Sequence, residues 1–257
     1  MTAVFSSSKR CFLSVLLCAS ALVSCGLEEV TYVSEPTVTS SSPLYSSSDY
    51  LTWYSDFTTA ETGQSDSFIG TDVYYKIYNN YSSLVSQRNA ILSVNTNANS
   101  SAAATRMIET YSFRPLGTNN GSETVFVPKS NANRRIRIRL KTYRGNEGYT
   151  GADMYTRRAC IIGGRFGDDG SFFPYRNGNA KSFDFFNDAD DNKTDLTNTN
   201  VKPRDGDADY FHDSVASEAD TYYVQLFAVG VVFDSGSLSN SYSLVLDLGS
   251  VPIRKGN

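Results

Sequence analysis

The segment TYYVQLFAVGVVF near the C-terminus constrains the fold more than any other stretch of the chain. Tyr222, Val224 and Leu226 fall on one face when this segment is extended, and its opposite face is also largely apolar. Alternation with a period of two residues, in a run rich in β-branched and aromatic side chains, predicts a strand. Because both faces are apolar, we expect it to be a central strand of a sheet.

Two other segments repeat this alternation. Val73, Tyr75 and Ile77 share one face of GTDVYYKIYNN, and SYSLVLDLG (residues 241–249) alternates in the same way. The chain holds 17 Tyr and 15 Phe beside a single Trp. Since aromatic residues are enriched in strands, the composition also favours an all-β protein.

These segments together resemble a fibronectin type III sandwich. Trp53 matches the Trp that this family carries on its second strand, residues 72–75 (DVYY) match the third strand, and residues 222–228 match the sixth. The resemblance implies a mostly β fold of fibronectin type III or immunoglobulin-like type. The third and sixth strands are far apart in this chain, which implies a long insert at about 80–215. The alternative is a larger jelly-roll-like sandwich, in which the insert supplies further strands of one core.

The insert is predicted to contain one or two short helices. Leu84, Arg88 and Ile91 recur at helical spacing, and Ser83 is the expected N-cap. The stretch SSAAATRMIETY (100–111) is a second candidate helix. Downstream, two strands are predicted around the hairpin turn at 119–121 (NNG).

The N-terminal region predicts processing at Cys25. Lys9 and Arg10 precede a short apolar run that suits a signal peptide, because it is too short to span a bilayer core of about 30 Å. The run ends in LVSC, which resembles the bacterial lipobox. That resemblance implies cleavage after Ser24 and attachment of lipid to Cys25. The alternative is an ordinary secretory signal, cut at the small residues at 19–24.

The lipobox resemblance divides the chain into three parts. Residues 1–24 are the predicted signal peptide, residues 25–50 the lipidated Cys and a Ser-rich tether, and residues 51–257 the ectodomain. Ser-rich stretches behave as flexible linkers. Part of the tether could instead form a first strand, because Val30, Tyr32 and Val38 favour extended structure.

Cysteine usage limits the covalent chemistry. Cys11 and Cys18 are lost with the predicted signal and Cys25 takes lipid, so Cys160 is the remaining thiol. No intramolecular disulfide is then expected. Cys160 is followed by two Ile residues, which predicts a strand position rather than a nucleophile.

The segment RRIRIRLK predicts a strand with a basic outer face. Ile136, Ile138 and Leu140 are expected to point inward, and the cations are expected to point outward. The outward-facing set is Arg135, Arg137, Arg139 and Lys141. Such a face could bind an anionic partner, but acidic segments downstream balance it, so we expect a solvated strand.

Residues 184–213 are acidic, with nine Asp against three Lys or Arg. The positions that alternate in the manner of a calcium loop are Asp188, Asp190, Asn192, Asp205, Asp207 and Asp209. Lys193 replaces the Gly of an EF-hand, and Thr199 and Ala216 stand where the final acid is needed. We therefore expect no metal site and regard these residues as weak calcium candidates only.

The residues that enzymes and cofactors need are scarce. With one His and one remaining thiol, the chain lacks the ligands of a zinc site. A triad could use only His212, and no nucleophile-elbow motif accompanies it. The net charge of −4 argues against a nucleic-acid partner. We expect neither an enzyme nor a cofactor.

The sequence therefore predicts an envelope lipoprotein, held to the membrane by acyl chains on Cys25. The lipobox together with VYYKIYN and YYVQLFAVG resembles spirochaetal lipoproteins of unassigned function. We expect a surface binding or adhesion protein, whose partner is an extracellular or envelope protein or a glycan. The alternative is a structural or assembly component that faces the periplasm. Gly26 is not the Asp that retains enteric lipoproteins in the inner membrane, so the outer membrane is favoured.

Overall fold

The computed structural model describes residues 33–38, 55–59, 67–118, 125–140, 160–162, 173–176, 181–186, 202–214, 220–235 and 238–254. All of these ranges belong to one compact unit that spans residues 32–257. The predicted signal peptide, Cys25, Trp53 and the turn at 119–121 lie outside the described residues.

The described residues are mostly β, as the sequence predicts. The strands are β1 (Thr37–Val38), β2 (Ser55–Thr58), β3 (Phe68–Tyr78), β4 (Arg114–Pro115), β5 (Gly117–Thr118), β6 (Val127–Pro128), β7 (Arg135–Arg139), β8 (Cys160–Ile162), β9 (Pro174–Tyr175), β10 (Tyr210–Phe211), β11 (Thr221–Asp234) and β12 (Ser239–Arg254). The helices are α1 (Tyr81–Leu92) and α2 (Ala102–Thr105), which continues into π-helical turns at Arg106–Thr110; a 3₁₀ turn covers Lys129–Asn131.

A central sheet contains the longest strands. Its order is β10-β3-β11-β12, and β11 is antiparallel to both of its neighbours. Along the other edge of β3 lie three two-residue strands, namely β6, β4 and β10. Of these, β10 runs parallel to β3. The prediction that β11 is a central strand is confirmed.

A second antiparallel sheet packs on one face of the central sheet. Its order is β1-β2-β7-β8. The core between the two sheets includes Ile136 and Ile138 of β7, Tyr75 of β3 and Leu226 of β11, each fully buried. The two packed sheets, which are antiparallel apart from β10, form a β-sandwich. Since β7 and β8 come from the predicted insert, the insert is part of the same core.

Helices cover the opposite face of the central sheet. Ile91 of α1, Ala103 of α2 and Met107 of the π-helical turns are fully buried against Phe227 and neighbouring strand residues. The central sheet is therefore covered on both faces, which explains why β11 is apolar on both. The two predicted helices are confirmed, and the second one is π-helical in its last turns.

The N-cap of α1 is Asn80, not Ser83 as predicted. The side-chain oxygen of Asn80 accepts a hydrogen bond from the Ser82 amide at 2.8 Å, so the helix begins at Tyr81. Asn is as good an N-cap as Ser. The Ser83 hydroxyl instead donates to Asp213.

The predicted hairpin around residue 120 is wrong for the described strands on either side of it. Arg114–Pro115 and Val127–Pro128 do not pair with each other; each pairs with β3, and Gly117–Thr118 pairs with β9. The long edge of β3 pairs with β4 and β6, and a local turn signal cannot reveal a partner so far away in the sequence.

Gly70 allows the chain to pass close to β6. Its φ is +153°, and a Cβ at this position would lie 2.2 Å from the Val127 carbonyl oxygen. Only glycine fits such an approach of one backbone to another.

The chain is already part of the fold at Val33. Val33 is buried against Phe68 and Val232, and β1 pairs with β2. The alternative in which part of the predicted tether forms a first strand is confirmed at Thr37–Val38. In the parts of the chain that the structure describes, none of the helices has the length and apolar character needed to cross a bilayer.

Candidate functional site

The acidic segment ends in a strap (residues 202–213) that lies at the edge of the central sheet. Tyr210 and Phe211 form β10 beside Ile77 and Tyr78 of β3, and the Ile77 amide donates to the Asp209 carbonyl at 2.9 Å. The strap therefore lies at the end of β3 from which helix α1 begins.

The strap is held by a buried ion pair with Arg176. The Nε of Arg176 donates to Oδ2 of Asp209 at 2.8 Å, and its Nη2 donates to Oδ1 at 2.7 Å. The same Nη2 donates to Asp207 at 2.9 Å, and the Tyr75 hydroxyl donates to Asp209 Oδ2 at 2.7 Å. Arg176 is only 1% exposed and Asp209 5%. We refer to Arg176, Asp207, Asp209 and Tyr75 as the Arg176 cluster.

The contacts within the Arg176 cluster favour the charged forms of Arg176 and Asp207. Burial disfavours the charged guanidinium, but its hydrogen bonds to Asp209 and Asp207 outweigh that effect and raise the pKa of Arg176. Burial opposes ionisation of Asp207 as well, yet the Arg204 amide and the Arg176 side chain lower the pKa of its carboxyl. A bidentate contact of this kind is among the stronger side-chain interactions.

Two of the predicted calcium ligands, Asp207 and Asp209, bind Arg176 instead of a metal ion. Both carboxylate oxygens of Asp209 are occupied by Arg176 and Tyr75, and Asp207 contacts Arg176, whereas Asp205 is exposed. Among the described residues, no three His, Cys, Asp or Glu side chains come together as a metal site would require. The remaining candidates, Asp188, Asp190 and Asn192, lie outside the described residues.

Asp213 ties the C-terminal end of the strap to the start of helix α1. One of its carboxylate oxygens accepts from Asn80 Nδ2 and from the Ser83 hydroxyl, both at 2.9 Å. Its backbone also exchanges two hydrogen bonds with the Asn79 side chain. An anion near a helix N-terminus is stabilised by the helix dipole, so Asp213 has a structural role here.

A buried amine lies beneath the strap. Lys76 is 7% exposed; its Nζ donates to the Tyr111 carbonyl and lies 5.5 Å from the centre of the Phe211 ring. Burial, together with the nearby Arg114, lowers the pKa of Lys76 to about 8. The amine can donate a hydrogen bond and contact aromatic rings, and Phe211 of the strap covers it.

A second buried ionisable group lies on the same edge of β3. The carboxylate of Asp72 accepts from the amides of Val73 at 3.1 Å and Phe126 at 3.2 Å. Burial raises the pKa of Asp72 to about 6, although these two hydrogen bonds oppose the rise. Asp72 therefore fastens the segment that leads into β6. No sequence motif pointed to Asp72, Lys76 or Arg176 as buried polar groups.

His212, which the sequence offers as the base of a catalytic triad, lies at the surface of the strap. The imidazole is exposed, and its Nδ1 lies 3.3 Å from the Tyr210 hydroxyl, while the neighbouring Asp213 carboxylate faces Asn80 and Ser83. Cys160 is in β8, opposite Arg139, as the sequence predicts for a strand residue.

The predicted basic face of β7 is wrong at Arg139. Arg135 is exposed and Arg137 half-buried, but Arg139 is only 7% exposed. Part of the outer face of β7 is therefore buried in the fold. Lys141 lies outside the described residues.

Comparison with known proteins adds no family to this description. No protein-family model, no curated protein and no solved structure matches the chain.

Proposed function

We propose that this chain is a lipid-anchored envelope protein whose β-sandwich domain binds a partner at the cell surface. The observation that carries the proposal is the sequence LVSC at the end of a short apolar run, with Cys25 as the lipid acceptor. Acylation adds about 0.8 kcal/mol per buried CH₂, so two or more chains make a stable anchor.

The arrangement of strands supports the finer proposal of a fibronectin type III or immunoglobulin-like core. In such sandwiches strands A, B and E share one sheet, and strands C, F and G share the other. Here β1, β2 and β7 are neighbours in one sheet, and β3, β11 and β12 are neighbours in the other, in the matching chain order. The added strands and the helical layer come from the insert.

A binding role fits a rigid sandwich with loops at one end. The strap presents exposed polar side chains of both signs, Lys202, Arg204 and Asp205, on a backbone fixed by the Arg176 cluster. We propose an extracellular or envelope protein or a glycan as the partner. We propose no catalytic role and no cofactor.

The anchor is tested by metabolic labelling of cells with a palmitate analogue. The parent protein should incorporate the label and partition into detergent phase, and Cys25→Ser should do neither. Cys18→Ser is the matched control, because it also removes a thiol from the N-terminal region but leaves the proposed acceptor in place. Equal labelling of Cys25→Ser and the parent would overturn the proposal.

The surface role is tested by protease treatment of intact cells, with lysed cells as the control. Rapid loss of the domain on intact cells is the expected result. Protection until lysis would contradict an adhesion role and would favour the alternative of an assembly component that faces the periplasm.

A further inference from the structure

The two ends of the long β11–β12 hairpin differ in what they expose. At the turn end, Phe233 is 42% exposed and Leu238 is 77% exposed, and both are large apolar side chains. Leu238 also has a φ of +53°, a backbone conformation that non-glycine residues seldom adopt. The opposite end of β11 lies beside the strap and helix α1, where the exposed side chains are mostly polar. We refer to Phe233 and Leu238 as the apolar tip.

The N-terminal part of the chain enters the fold beside the apolar tip. Val33 packs against Val232, the residue directly before Phe233. A Cβ on Gly230 would lie 2.9 Å from both the Val33 side chain and the Ser34 carbonyl oxygen, so the chain passes directly over this part of β11. Val33 is therefore fixed at the turn end of the hairpin.

The chain between Cys25 and Val33 is short. Seven residues (26–32) separate these two positions. Fully extended, this stretch reaches at most about 29 Å. Strand β11 alone, with its 14 residues, is about 43 Å long. A lipid on Cys25 therefore holds Val33, at the turn end of the hairpin, within about 29 Å of the bilayer, while the strap end lies a further strand length along β11 from this attachment.

From these three observations we propose that the apolar tip contacts the membrane that holds Cys25. Phe233 and Leu238 insert at the interface between headgroups and acyl chains, and the domain stands with the strap pointing away from the bilayer. Exposed Asp234 lies next to Phe233 and would stay at headgroup level, so neutral lipids are the better surface. The inference rests on the proposed lipid at Cys25, and it adds the orientation of the domain and its second membrane contact.

The test is quenching of an added tryptophan by brominated lipids. The full-length lipidated protein is reconstituted in phosphatidylcholine vesicles, with or without bromine on the acyl chains, as the parent and as Leu238→Trp. Trp53 is retained, and its emission in the parent is subtracted. The emission of Trp added at position 238 should fall by roughly half or more in brominated vesicles, since interfacial side chains lie about 5–10 Å into the boundary region.

Tyr81→Trp is the matched control. Tyr81 is 51% exposed at the start of α1, so the new side chain lies at the strap end, and its emission should be unchanged by bromine. Phe233→Trp is a conservative second variant at the tip and should be quenched like Leu238→Trp. All variants are compared with the parent by thermal melting, so that a misfolded variant is recognised. If one tip variant is misfolded, the quenching of the other tip variant tests the proposal.

The outcomes separate this inference from the proposed function. If mass spectrometry finds lipid on Cys25 but the tip variants are not quenched, or are quenched no more than Tyr81→Trp, the orientation is overturned and the anchor stands. If Cys25 carries no lipid, the anchor and the orientation are both overturned. Quenching of the tip alone, with lipid on Cys25, supports both.

Discussion

The two edges of strand β3 are built in different ways. On one side, β11 forms an antiparallel ladder along almost the whole of β3. On the other side, β6, β4 and β10 each contribute only two residues. Polar side chains hold this segmented edge in place, namely Asp72, the Arg176 cluster and Asp213 with Asn79 and Asn80.

This difference shows how a fold can complete an edge without a continuous strand. Along β11, the stabilisation is distributed over many equivalent backbone hydrogen bonds. At the segmented edge, a few buried polar groups hold the short strands in place, and each of these groups loses its contact with water when the chain folds. Removing one such group should therefore cost far more than removing an exposed charge, and the edge should respond to pH where the ladder does not.

The largest expected effect is at Arg176. Arg176→Met keeps most of the side-chain volume but leaves Asp209 buried without its cation, which should lower the free energy of unfolding by about 3–5 kcal/mol. Denaturant unfolding of the two proteins measures it. Amides of the strap should also exchange with deuterium faster, while those at Val224–Ala228 in the ladder follow only the global change.

Arg88→Met is the control for Arg176, because Arg88 also pairs with an acid, Asp247, but its side chain is 37% exposed. An exposed pair is worth about 1 kcal/mol or less. Similar losses for the two variants would mean that the buried cluster does not hold the strap in the way described.

The second prediction concerns the pH dependence that Asp72 confers. Its pKa is about 6 in the fold and 3.8 ordinarily, so the folded state binds this proton more tightly than the unfolded state. The stability it contributes is complete below pH 3.8 and is lost as pH rises through 6. Relative to the parent, Asp72→Asn should therefore gain about 2.5 kcal/mol of unfolding free energy between pH 4 and pH 8.

Denaturant unfolding of both proteins across that pH range measures this gain. Asp205→Asn is the matched control, because it makes the same substitution at an exposed acid. If the free energies of unfolding of Asp72→Asn and the parent differ by the same amount at all pH values, a buried Asp72 with a raised pKa is ruled out.

The smallest expected effect is at the start of α1. Asn80→Ala removes the N-cap and the contact with Asp213, which should lower the free energy of unfolding by about 1 kcal/mol. Thermal melting detects such a change. Ser83→Ala, which removes only the contact with Asp213, should cost less; a larger loss than for Asn80→Ala would mean that Asn80 is not the cap.

The long strands and the helices were predictable because their patterns are local. Alternation marked β3, β11 and β12, and the helical spacing of Leu84 and Ile91 marked α1. A local signal says nothing about a partner far along the chain. The turn at 119–121 predicted a hairpin, yet the described strands on either side pair with β3 or β9 instead.

The candidate site could be predicted only in part. The acidic alternation at 205–209 was visible, but its partner is Arg176, which lies in an unremarkable stretch of sequence about 30 residues earlier. An Asp-rich motif looks the same whether it binds a cation or a guanidinium. Likewise, Arg139 alternates with apolar residues like an exposed cation, although its side chain is buried, and the local alternation gives no sign of this burial.

The pairing of β3 with β11 has a consequence for how the chain folds. The paired residues are about 150 positions apart. Contacts of such long range make folding slow, because loop-closure entropy is lost before the contacts form. The central ladder cannot close until β11 has been synthesised, about 150 residues after β3. Until then the long apolar edge of β3 is without its main partner, so the early chain depends on protection from aggregation.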